Sequence, residues 1–170
     1  GPSTQDYYQA GRTDILVTWL FTLSMTSQDY GLAAAIGILS KIVTEYKMLQ
    51  WDKPAGRYLV EAYIAANNAQ KAYDIASGII REDKDAGWKG ELAPAYWQAL
   101  LKLGKTSQLE ALVKKAAISG DRAASAAALV MRGDMILASE GESPEAFRKA
   151  LTDSYLRVML MYADEPCREA

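Results

Sequence analysis

LVEAYIAANNAQKAYDIA, running from Leu59 to Ala76, is the stretch whose reading decides the fold. Leu59, Ala62, Tyr63 and Ala66 fall at i, i+3, i+4 and i+7, and Ala72, Ile75, Ala76, Ile79 and Ile80 repeat that pattern beyond a hinge at Asn67-Asn68. This is the spacing of helices that each bury one face. Asn tolerates the left-handed backbone that ends a helix. The stretch therefore predicts helix, tight turn, helix.

The same pattern returns along the chain. ALLKLGKTSQLEALV (Ala99 to Val113) and MILASEGESPEAFRKA (Met135 to Ala150) align with AYIAANNAQKAYDIA so that the hinges Asn67, Gly104 and Gly141 lie 37 residues apart. Ala72, Leu109 and Ala146 keep that interval, as do Ala76, Val113 and Ala150. A fainter copy, SQDYGLAAAIGILSKI (Ser27 to Ile42), places Ala35 and Leu39 one period earlier. A fixed period of this length is the mark of a stacked repeat. Ser143-Pro144-Glu145 reads as N-cap, N1 and N2 of the last helix. The coarse map is four helix pairs: 5–25 with 29–47, 55–66 with 69–82, 91–103 with 106–118, and 121–139 with 143–163.

Composition narrows the function classes. The 170 residues are half apolar and about a quarter charged, with a formal net charge of -2. That is the balance of a folded chain, and it carries no basic footprint for nucleic acid. There is no His, and the single Cys is Cys167. The commonest general base and metal ligand are thus missing, together with any cysteine cluster for zinc. No nucleophile elbow, phosphate loop or metalloprotease signature occurs, so neither an enzyme nor a cofactor is expected. The acidic run around Glu82, Asp83 and Asp85, in REDKDAG, reads as a solvated connection between repeats. Ile15 to Met25 is apolar but too short to span a bilayer, and reads as a buried helix.

Leu59, Tyr63, Asn67, Ala72 and Ala76, taken in order, resemble the consensus positions of the tetratricopeptide repeat; Gly104, Leu109 and Val113 in the next copy and Gly133, Gly141, Ala146 and Ala150 in the last match it less completely. Arg132-Gly133-Asp134 resembles the family's helix A glycine motif, one residue out of register. The period is longer than the family's, which is about 34 residues, and the proline expected after helix B is missing from most copies. The resemblance implies an all-α, right-handed α-solenoid of about four antiparallel helix pairs. It also implies a protein-interaction scaffold whose concave wall, formed by the first helix of each pair, holds a peptide or a partner protein.

On that pattern the polar residues facing the groove are Arg57, Glu61, Gln98, Lys102 and Asp134. Most of the aromatics are expected to pack in the core, with Trp51 and Trp88, near loops, as the exceptions. The last helix is apolar around most of its circumference, which a terminal helix facing water cannot be without a partner. Leu151, Tyr155, Leu156, Met159 and Tyr162 are therefore candidates for self-association, and the alternative function is a module that oligomerises through apolar terminal helices. Gly1-Pro2-Ser3 reads as the scar of a cleaved tag. Residues 1–4 are then a disordered tail, and 5–170 form one repeat domain, expected to be a fragment of a longer protein. Membrane contact is expected only through removed segments. Cysteine usage is compatible with a bacterial periplasm or envelope and equally with a cytoplasm.

Overall fold

The computed structural model describes residues 29–45, 52–141 and 143–164. The expected helix over 5–25, the apolar run Ile15 to Met25, the tag scar, Trp51 and Cys167 lie outside them. Every regular element among the described residues is helical, and none is a strand. The chain divides into two compact units, one ending at Glu82 and the other beginning at Asp83.

The first unit contains α1 (Asp29–Glu45), α2 (Asp52–Ala65) and α3 (Ala69–Glu82), with α2 packed against both of the others. Leu39, Ala55 and Leu59 form its buried centre, and Ile36, Ile42, Tyr63 and Ile75 close around them. Helix α2 starts three residues earlier than the sequence predicts. Residue 54 is a proline, and in a first turn its missing N–H leaves no hydrogen bond unmade.

The second unit opens with a 3-10 turn at Lys84–Gly87 and continues through α4 (Leu92–Lys102), α5 (Thr106–Ala117) and α6 (Arg122–Glu140). It ends with α7 (Pro144–Ala150), a π-helical turn (Leu151–Tyr155) and α8 (Leu156–Met161). Helix α6 is its hub, packing against α4, α5, α7, α8 and the π turn. The REDKDAG connection is more ordered than a solvated loop. Asp83 Oδ1 accepts from the Asp85 N–H (3.1 Å), and Asp85 Oδ1 accepts from the Trp88 indole (2.9 Å). The Gly87 carbonyl accepts the indole N–H of the fully buried Trp97 at 2.8 Å.

The 37-residue period is visible in backbone geometry. Asn67, Gly104 and Gly141 have φ of 57°, 68° and 75°. After α2, the Asn67 N–H bonds the Ile64 carbonyl and the Asn68 N–H bonds the Tyr63 carbonyl; after α4, Gly104 and Lys105 make the same pair of bonds to Leu101 and Leu100. This is the crossed closure that satisfies the last carbonyls of a helix. Asn68 then accepts the Lys71 N–H on its side chain and so starts the next helix. The eight repeat positions behave alike: Ala35, Ala72, Leu109 and Ala146 are buried, as are Leu39, Ala76, Val113 and Ala150.

A Cβ at Gly104 would meet nothing within 4 Å, so only the backbone opposes a side chain there. Gly104→Ala is expected to lower stability by about 1 kcal/mol. Asn67→Gly should change it by no more than a few tenths. Urea unfolding of both variants followed by circular dichroism checks the pair.

The last copy departs from the others by one residue. Ser143, whose hydroxyl caps the Ala146 N–H at 3.1 Å, sits two residues beyond the positive-φ hinge, whereas Asn68 sits one beyond. The helix that follows buries Ala146, Ala150, Ser154 and Val158, four apart each time. An α-helix turns once in about 3.6 residues, so a four-residue spacing drifts round the axis by about a tenth of a turn at every step. The π turn, closed by the Leu156 N–H on the Leu151 carbonyl, winds more widely and removes that drift. One stripe thus stays buried from Ala146 to Val158.

Candidate functional site

Because every fourth residue from Ala146 is buried, the rest of this helix sorts into three further stripes. One residue before each buried position stand Glu145, Lys149, Asp153 and Arg157, all exposed. One residue after stand Phe147, Leu151, Tyr155 and Met159, and two after stand Arg148, Thr152, Leu156 and Leu160. The helix is therefore less widely apolar than its sequence suggests. It has a buried seam of small residues, a charged flank, and an apolar flank that widens toward the C-terminus. On that flank Phe147 is 58% exposed, Met159 50% and Leu160 81%.

The five residues expected to mediate self-association separate by position. Leu156 and Met159 are exposed, and Leu151 is half-buried. Tyr155 leans inward: its hydroxyl donates to Asp134 Oδ1 at 2.6 Å, and its ring lies against buried Gly133. Tyr162 is half-buried beneath the Arg122 guanidinium, 5.0 Å from its ring centre. The same guanidinium donates to the Met161 carbonyl (3.0 Å) and to Asp164 (2.6 Å). Arg122 thereby ties the end of α8 to the start of α6, and its hydrogen bond holds the Asp164 carboxyl below its usual value. Leu160 and Met161, inside the stretch 151–163 expected to self-associate, are exposed, whereas Phe147, also exposed, lies ahead of that stretch and was missed.

The groove candidates also separate. Gln98 Nε2 donates to Asp134 Oδ2 at 2.7 Å, so these two residues, 36 apart in sequence, meet on one carboxylate together with Tyr155. The group is half-buried and joins α4, α6 and the π turn. It is a packing network in which the carboxylate's two oxygens each have a donor. Lys102 is exposed one turn further along α4 from Gln98. Arg57 and Glu61 lie one turn apart on α2 in the first unit, Arg57 with its guanidinium 4.3 Å from the Tyr58 ring centre. Trp88 is half-buried, with its indole N–H on Asp85 and the Lys115 ammonium 4.8 Å from its ring.

Burial, and then the hydrogen bond to Asp134, push the Tyr155 phenol above its ordinary value. A raised folded-state value means that this stabilisation is fully present below the unfolded tyrosine value of about 10 and fades as pH rises beyond it. Tyr155→Phe is expected to cost about 1.5–3 kcal/mol at neutral pH. The gap between variant and parent should shrink above about pH 10. Urea unfolding at neutral pH and at pH above 10 measures both.

Among the described residues no group of acidic, His or Cys side chains is arranged to hold a metal ion. No helix there is long and apolar enough to cross a membrane. No family model matches the chain, and neither a curated protein nor a solved structure matches it.

Proposed function

We propose that the chain is a non-enzymatic protein-interaction scaffold, built of antiparallel helix pairs in the manner of a tetratricopeptide-like right-handed α-solenoid, and that its main contact face is the apolar outer flank of its last helix. The pairing is supported by positive-φ hinges at one interval, two of them closed by the same crossed pair of bonds, and by the matching buried positions. The contact face is supported by the concentration of exposed large apolar side chains between residues 147 and 161. Only Ile38 and Ile118 are comparably exposed elsewhere among the described residues. Such a patch on a folded surface is the usual mark of a protein contact. The groove is the weaker surface, because Gln98 and Asp134 already satisfy each other.

A partner is expected to be lost when the apolar flank is made charged. Affinity capture from the native host with the parent chain, Leu160→Asp and the double variant Glu61→Lys/Lys102→Glu tests this, with circular dichroism confirming that each variant folds. Loss of the captured protein with Leu160→Asp alone supports the outer-flank reading. Loss with the double variant alone moves the site to the groove.

A further inference from the structure

Resting on the contact face proposed above, we infer that this face carries a redox switch: a peroxide converts the thioethers of Met159 and Met161 to sulfoxides, and the face then releases its partner. The two methionines bracket Leu160, the most exposed large apolar residue among those described. Successive residues of a helix step round its axis by about 100°. With Leu160 pointing outward, one methionine therefore stands to each side of it, and a surface that closes over Leu160 meets both thioethers. They are 50% and 59% exposed, against 2% for Met131 on α6, while Met135 is half-buried. Among the described methionines the two most open to an oxidant are thus the two that border the contact face.

The chemistry needs only the side chain and the oxidant. The sulfur lone pair attacks one oxygen of hydrogen peroxide; an S–O bond forms, the O–O bond breaks, and the departing hydroxide takes the proton of the new S–OH group and leaves as water. Sulfur loses two electrons and the peroxide gains them. A thioether packs as an apolar group, whereas the sulfoxide is polar, and covering it in an apolar contact without a hydrogen-bond donor is costly. Both side chains project outward, so the helix keeps its packing and the contact alone is weakened. Leu156 and Leu160, the other large apolar side chains exposed on α8, have no such chemistry, which confines the response to the two methionines. Reduction by sulfoxide reductases restores the thioether, and the change is therefore reversible.

The test treats the parent chain and Met159→Leu/Met161→Leu with dilute hydrogen peroxide, maps oxidation by peptide mass spectrometry, and follows capture of the protein that Leu160→Asp fails to capture. Met159 and Met161 are expected to oxidise about tenfold faster than Met131. Once both are oxidised, the parent should capture about tenfold less, and should recover after incubation with methionine sulfoxide reductases of both epimer specificities. The leucine variant keeps the apolar bulk and should capture equally before and after peroxide. An unchanged unfolding midpoint by circular dichroism shows that the oxidised parent is folded. Equal capture by oxidised and untreated parent overturns the switch, while loss with Leu160→Asp still leaves the contact face standing. A peroxide-induced loss shared by the leucine variant also overturns it, by placing the sensitive residue elsewhere. A parent that captures nothing before treatment removes the contact face and the switch together. Should the double leucine variant not fold, each single replacement is expected to retain part of the capture after peroxide.

Discussion

Replacing Trp97 by alanine is expected to lower the unfolding free energy of the second unit by about 3–5 kcal/mol, the range for emptying a large aromatic site in a core. The side chain is fully buried, the largest so enclosed among the described residues. Its indole N–H is held by the Gly87 carbonyl at 2.8 Å. Truncation therefore opens a cavity and also removes the donor from a carbonyl in the 3-10 turn. Trp97→Phe separates the two effects. It keeps most of the apolar volume and loses the hydrogen bond, so it should cost about 1–3 kcal/mol. Urea unfolding followed by far-ultraviolet circular dichroism measures the series. A loss below about 1 kcal/mol for the alanine variant would mean that the turn does not dock on α4 as described.

Gly133→Ala should be the next most damaging change, although glycine in mid-helix is ordinarily improved by alanine. A Cβ there would meet the Tyr155 ring at 2.6 Å, well inside van der Waals contact. A free tyrosine could swing aside, but this one is pinned through its hydroxyl to Asp134. Overpacking at such a site costs about 1–3 kcal/mol, and losing a hydrogen bond to a charged group adds about 1.5–3 kcal/mol. The gain in helix propensity offsets only about 1 kcal/mol. The net expectation is a loss of about 1.5–5 kcal/mol. The sign depends on the tyrosine, so the coupling can be measured directly. In a Tyr155→Ala background Gly133→Ala should become neutral or stabilising, giving a large interaction energy in a double-mutant cycle.

Helix existence was readable from the apolar spacing and the hinge residues. All seven helices expected from residue 29 onward are present, with ends within a few residues of the expected bounds and the last carrying the π turn inside it. Asn67, Gly104 and Gly141 were readable because a positive φ admits so few residue types. The candidate site was less legible for two physical reasons. A one-residue change in winding decides which flank of a helix faces water, and the π turn is such a change; it took Tyr155 inward and left Leu160 and Met161 outside. Polar residues on a helix also look the same in sequence whether they face a ligand or each other. Gln98 and Asp134 have the right period for a groove wall, yet what they contact is one another. Trp97 shows the same limit from the other side. Its helical spacing marks it as core, but its hydrogen bond runs to a turn whose charged sequence reads as solvated loop.

The most direct test of the central claim, that the outer flank of the last helix is a contact face, is affinity capture from the native host with the parent chain and Leu160→Asp. Leu160 is 81% exposed, so a charge there should leave the fold and the unfolding midpoint unchanged. The parent is predicted to retain a partner protein that the variant loses. Equal capture of the same protein by both chains would contradict the account.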